Sequence, residues 1–282
     1  PAVSDEDFSF DTVLDAASEE DGDTAQTAKL TGYYITTTML ASGVDQVRAA
    51  LSQADDYNAV MVDVKSIFGS FYYSTAISGA AKATVLDIKQ VDQLIAELAQ
   101  QKGVTLIARV PAFSDPEYAL KHQSQALPLY NGALWTDEHD CYWLNPYSND
   151  VQGYLTSIAL ELAGLGFDEV LFDNFYFPDS DRISWTGSVT KQEAILDAAD
   201  NLSANLLNQS IRLDLGTNDH EVAAYGARAF ITTNNASQID DDIAALSDVL
   251  PDTASQLVYL TDSRDTRFDA CGALRPLLDE TE

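Results

Sequence analysis

From Lys29 onward, short apolar runs alternate with amphipathic stretches, and few folds accommodate that rhythm. KLTGYYITT reads as a strand, and VDQVRAALSQA (44–54) as a helix with one apolar face. NAVMVDVKS (58–66) is a second strand, and GSFYYST (69–75) a loop excursion or short hairpin. LDIKQVDQLIAELAQQKG (86–103) places apolar residues at 88, 91, 94, 95 and 98 before a glycine stop, which predicts a helix. VTLIARVPAF (104–113) is the third strand, followed by a long polar and aromatic loop to Asn149 and a helix over 150–166. The fourth strand is EVLFDNFYF. Helices over 191–209, 220–227 and 237–250 then alternate with strands over 211–219, 228–234 and 256–262. The last segment, DACGALRPLLDE, reads as a helix interrupted by Pro276.

Strands separated by helices build parallel sheets, either doubly wound or closed. No G-x-G-x-x-G follows the first strand and no G-x-x-x-x-G-K-[ST] is present, which counts against nucleotide-binding open sheets. Strands of similar length over about 250 residues predict an α/β fold of the (β/α)8 TIM-barrel type. The eighth strand is the weak point. SRDTRF (263–268) is a poor candidate, so the barrel is expected to be degenerate there. The barrel domain is expected over 29–282. Residues 1–28, containing SEEDGDTAQTA, predict an acidic disordered linker.

The chain has 45 acidic against 15 basic residues, a net charge of −30 over 282 residues. Nucleic acids and anionic membrane surfaces need Lys/Arg patches, so neither is an expected partner. Neutral polar ligands such as sugars remain open. No apolar run reaches the ~18 residues of a membrane span. The acidic leader and the absence of a starting Met predict a protein held outside the cell, anchored through a segment not in this sequence. Cys141 and Cys271 are expected as free, partly buried thiols. A monomer without cofactor or metal is expected: TDEHDC offers mixed ligands in one loop, and His122, His139 and His220 lack metal-site spacing.

Barrel enzymes work at the carboxyl ends of their strands. Asp173, which follows the apolar run Val170–Phe172, is the first candidate, because an acid buried there without a partner costs several kcal/mol or more. Asp63 and Asp214 end or lie within neighbouring strands and complete the set of candidate catalytic acids. Tyr33, Lys65, Arg109, Trp135, Trp143, Asn145, Asn174 and Tyr176 are candidate substrate-binding residues. Carboxylates among Trp and Tyr suit sugars: aromatic faces stack on pyranose rings, acids and amides bond hydroxyls, and two acids can flank a glycosidic bond. Bland alternatives stand beside these. Asp63 and Lys65 share a strand face and can pair with each other, Arg109 can be a counter-ion, and the tryptophans can pack the long loop.

GYYITT, NAVMVDVKSIFGSFYYST, VTLIARVPAFSDP, LWTDEHDCYWLNPYSNDV and GFDEVLFDNFYFP together resemble the DUF4015 family, bacterial TIM-barrel proteins distantly similar to the α-amylase-like glycosidases. The resemblance covers about 30–180 and implies a barrel acting on polysaccharide. Asp173 matches the acid of the family's strand-4 motif, Asp63 that of its strand-2 motif, and Arg109 and Asp115 its strand-3 motif. Two charges differ. The strand-4 motif continues Asp-Tyr-x-Arg-Phe-Pro, where this chain has Tyr176 in place of Arg, and Ser66 replaces an acid after Lys65. The resemblance therefore implies a glycoside hydrolase or, alternatively, a barrel that has kept only carbohydrate binding.

Overall fold

The computed structural model describes residues 28–279; the expected linker, apart from Ala28, lies outside them. Eight parallel strands close into a barrel: β1 (Thr31–Ile35), β2 (Ala59–Asp63), β5 (Thr105–Pro111), β6 (Glu169–Asp173), β7 (Arg212–Gly216), β8 (Ala229–Thr232), β9 (Leu257–Leu260) and β10 (Gly272–Pro276). The excursion between β2 and β5 holds β3 (Ser70–Phe71) and β4 (Ala81–Lys82), which pair in parallel; Phe71 also bridges antiparallel to Lys65, so the 69–75 stretch opens as a short hairpin before it pairs with β4.

Between the strands lie α1 (Thr37–Ser42), α2 (Val44–Gln53), α3 (Ile88–Leu98), α4 (Pro116–Lys121), α5 (Asn149–Gly164), α6 (Lys191–Leu206), α7 (His220–Ala223), α8 (Ile239–Leu246) and α9 (Thr253–Gln256), of which α2, α3, α5, α6 and α8 are the main crossover helices. Among the described residues no helix is long and apolar enough to cross a membrane. Gly103 and Gly166 stand between α3 and β5 and between α5 and β6, at φ of 79° and 92°, a left-handed backbone that side chains resist.

Strand alternation divides the apolar residues between two cores. Leu30, Ala59, Met61, Ile107, Leu171, Phe230, Val258, Leu260 and Leu274 fill the barrel interior. Val60, Val62, Ala108, Val110, Val170 and Phe172 face the helices and join Leu94, Ile95, Leu155 and Leu202 in the outer core. Gly32 is fixed by packing, because a Cβ there would meet the Ala59 carbonyl oxygen at 1.9 Å.

The expected weak eighth strand is corrected. The strand is GALRP, inside the segment read as a helix, and it pairs with β9 on one side and β1 on the other, Thr31 opposite Ala273. Five residues ending in proline carry little strand signal of their own; the two waiting edges supply the ladder. Pro276 lies at the strand's end, where chain pairing passes to the Leu277 N–H, which donates to the Tyr34 carbonyl.

Candidate active site

Three charged side chains meet at the carboxyl end of the barrel. Asp63 ends β2 and lies in register with Arg109 of β5; Asp173 ends β6 opposite Pro111. The two-residue strand period turns all three inward. Arg109 Nε and Nη2 donate to Asp63 Oδ1 and Oδ2 at 2.6 and 2.7 Å, and Nη1 stands 3.8 Å from Asp173 Oδ2. Burial acts to lower the Arg109 pKa, but Asp63, and after it Asp173, outweigh that, and the net shift is upward. Asp173 thus has a cationic neighbour in Arg109, although Tyr176 stands where the family's strand-4 motif has Arg.

Asp173 is set by its backbone. Asn174 has φ 53°, which bends the chain so that its own N–H donates to Asp173 Oδ1 at 2.8 Å. Gly216 leaves the room: a Cβ there would stand 2.6 Å from Asp173 Oδ1 and 2.9 Å from its Cα. In front of these groups lies a cleft of about 450 Å³, lined among others by Thr37, Thr38, Tyr72 and Asn174. That is within the size range of small-molecule sites, about 300–1,000 Å³.

Tyr34 and Asp262, strand-end polar groups outside the candidate residues named above, extend the site. Tyr34 is packed on the barrel interior, its ring 5.6 Å from the Arg109 guanidinium carbon, and its hydroxyl donates to Asp262 Oδ1 at 2.7 Å. The parity of Leu30, Gly32 and Tyr34 on β1 was a usable signal. Tyr33, chosen instead, points the other way and packs edge-on against Tyr57.

Other expectations change in the same way. Lys65 does not pair with Asp63. Its ammonium is held against Asp115 at 3.0 Å, with side chains 1% and 0% exposed, so it meets the cleft as a neutralised pair rather than as an open cation. Asp115 is further bound by the Tyr154 hydroxyl at 2.9 Å and the Tyr118 N–H. Asp214 is fully buried in β7, away from the cleft lining. Neither of its oxygens receives a hydrogen bond. Burial first, then the neighbouring Glu169 carboxylate, raises its pKa well above the usual range, against Arg228 and Arg212. Those two arginines hold Glu169. Asp214 therefore cannot serve a substrate at the mouth.

The long β5–α5 loop is a packed cover. Trp135 and Trp143 are buried edge-to-face, so their faces are closed to a sugar, and packing is their role. Asp137 is a turn residue: its Oδ1 accepts from the His139 and Cys141 N–H groups and its Oδ2 from Trp143 Nε1. Among the described residues no group of three His, Cys, Asp or Glu comes together as a metal site. Asn145 forms the turn before α5, accepting from the Tyr147 N–H, and is not a cleft residue. Tyr176 tilts against Trp143 and stays 47% exposed. Partial burial, then Glu138, Asp137 and Asp173, push its phenol upward in pKa. Cys141 and Cys271 are free and buried.

The fold and this constellation can be set against known proteins. The solved structures that match include a hypothetical protein from Ruminiclostridium thermocellum, 28% identical, with TM-score 0.56 over 64% of this chain and 96% of that one. Aspergillus fumigatus Ega3, determined with galactosamine, is 13% identical, with TM-score 0.51 over 86% and 85%. An α-galactosidase from Lactobacillus brevis is 11% identical, with TM-score 0.57 over 92% and 39%. The last two establish a shared fold only. No curated protein matches significantly. The family model described as "Putative glycosyl hydrolase domain" matches residues 32–261, and the chain belongs to this DUF4015 family.

Proposed function

We propose that the protein hydrolyses glycosidic bonds of a polysaccharide at the barrel mouth, with Asp173 as the nucleophile or transition-state stabiliser. The observation that carries this reading is the placement of Asp173 and Asp63 on one guanidinium at the edge of an open cleft. The gap between them is the width of that guanidinium and its contacts, inside the ~10 Å over which two carboxylates can act on one glycosidic bond. Arg109 would fix both acids, and Tyr176, half exposed beside Asp173, would offer a ring face to the sugar.

The test is a screen for reducing-sugar release from polysaccharides by the wild type and by Asp173→Ala and Asp173→Asn. Release that falls by at least about 10³-fold in both variants supports hydrolysis at this centre. One observation favours a second reading. Asp63 is bound through both oxygens, and a carboxylate so held is an acceptor rather than a proton donor. A barrel that binds carbohydrate without cleaving it would show glycan binding, no release, and no change on Asp173→Asn.

A further inference from the structure

Asp262 lies two residues past the end of β9 and is exposed at the barrel mouth, yet its carboxylate is gripped from β1 and from the segment after β8. The Tyr34 hydroxyl, from β1, donates to Oδ1 at 2.7 Å. The Asn234 amide, beyond β8, donates to Oδ2 at 3.4 Å. Asn234 is itself oriented, because its Oδ1 accepts from the Thr261 hydroxyl at 2.9 Å and from the Asp262 N–H at 2.8 Å. Both groups that hold the carboxylate are neutral. Among the described residues no cation forms an ion pair with Asp262. The other acids here differ: Asp63 and Asp173 share Arg109, and Asp115 has Lys65.

An ionised carboxylate has about four acceptor sites, and two neutral donors leave some of them open. Asp262 is joined to the cleft through Tyr34, whose ring lies 5.6 Å from the cleft-lining Arg109. A fixed anion there, with no ion-pair partner, is complementary to an ammonium group, and the resulting hydrogen bond would be charge-assisted. We propose that Asp262 binds a protonated amino group of the sugar, so that the substrate class is a glycan carrying free amines. The inference rests on the reading of the mouth as a sugar site. Acidic glycans fit poorly. The two cations lining the cleft, Lys65 and Arg109, are engaged by Asp115 and Asp63, and a net charge of −30 repels a polyanion from a distance.

The test is titration of the ¹⁵N-labelled protein at about pH 6, where a sugar amine is protonated. The probes are galactosamine, glucosamine, their N-acetylated forms and galacturonate. Asp262→Asn and Tyr34→Phe are the variants. Asp55→Asn makes the same charge change at the opposite end of the barrel, and melting curves report the folding of all three. Galactosamine or glucosamine should bind about tenfold or more tightly than its N-acetylated form, shifting signals at Thr37, Asn174 and Asp262. Asp262→Asn should erase that preference, Tyr34→Phe should reduce it, and Asp55→Asn should leave it intact. Equal binding of aminated and acetylated sugars, or a preference that survives Asp262→Asn, overturns the inference. So does loss of turnover on acetylated and aminated glycans alike in Asp262→Asn, which would make Asp262 a reacting carboxyl. Cleavage of neutral glycans without any amine preference removes this inference alone; no glycan bound or cleaved removes the hydrolase reading as well.

Discussion

Asp63 grips the Arg109 guanidinium through both carboxylate oxygens, at 2.6 and 2.7 Å. Only a planar fork can keep that geometry while a third nitrogen faces Asp173. Arg109→Lys is therefore expected to lower kcat/KM by about 10²-fold, because an ammonium cannot hold both acids in place. Steady-state kinetics on a polysaccharide from the release screen checks this, and a kcat/KM within a factor of two of the wild type would contradict it.

Gly216 is expected to tolerate no side chain. Gly216→Ala drives a methyl against the Asp173 Cα and carboxylate, so Asp173 must move or β7 must part from β6. Destabilisation of about 1–3 kcal/mol is expected by chemical denaturation, with activity falling further than stability accounts for.

Asp214 should make stability depend on pH. Its folded-state pKa lies above the unfolded value of about 3.9, so the stability it contributes is whole below that pH and is lost as pH rises through the folded pKa. Asp214→Asn keeps the shape and removes the titration. The variant should match or exceed the wild type at pH 7 and above, with a flatter stability profile. The slope removed is at most about 1.4 kcal/mol per pH unit. A variant with the wild-type slope would show that Asp214 is not the source.

Lys65 and Asp115 form a buried pair whose members cannot be removed singly. Lys65→Met leaves Asp115 charged at zero side-chain exposure and should cost about 3–5 kcal/mol in urea melts, as should Asp115→Ala. The double variant should cost less than the two single costs added together, since no lone charge remains.

The barrel was legible because Val60–Val62, Ile107–Val110 and Val170–Phe172 are strand runs separated by helices with clear periodicity. Asp63, Arg109, Asp173 and Asn174 were recognisable as candidates because each lies at or beside a strand end. What failed did so for three reasons. Tyr33 and Tyr34 differ only in strand parity, and an isolated sequence does not say which parity faces inward. Trp135, Trp143 and Asn145 sit in a loop whose packing depends on partners such as Asp137 and Tyr147, too irregular to read from periodicity. Asp214 and Lys65 look like mouth residues by position. Their burial depends on Glu169, Arg228 and Asp115, which lie on other elements.

The pairing of β1 with β10 also dictates when this barrel can close. The opening strand has no neighbour on one side until Gly272–Pro276 arrives, so the ring cannot shut before those residues are synthesised. Until then β1 shows an unpaired edge, open to other chains. Such long-range closure also makes for slow folding, and deletion of these last five strand residues would leave β1 and β9 as two open edges in place of a site.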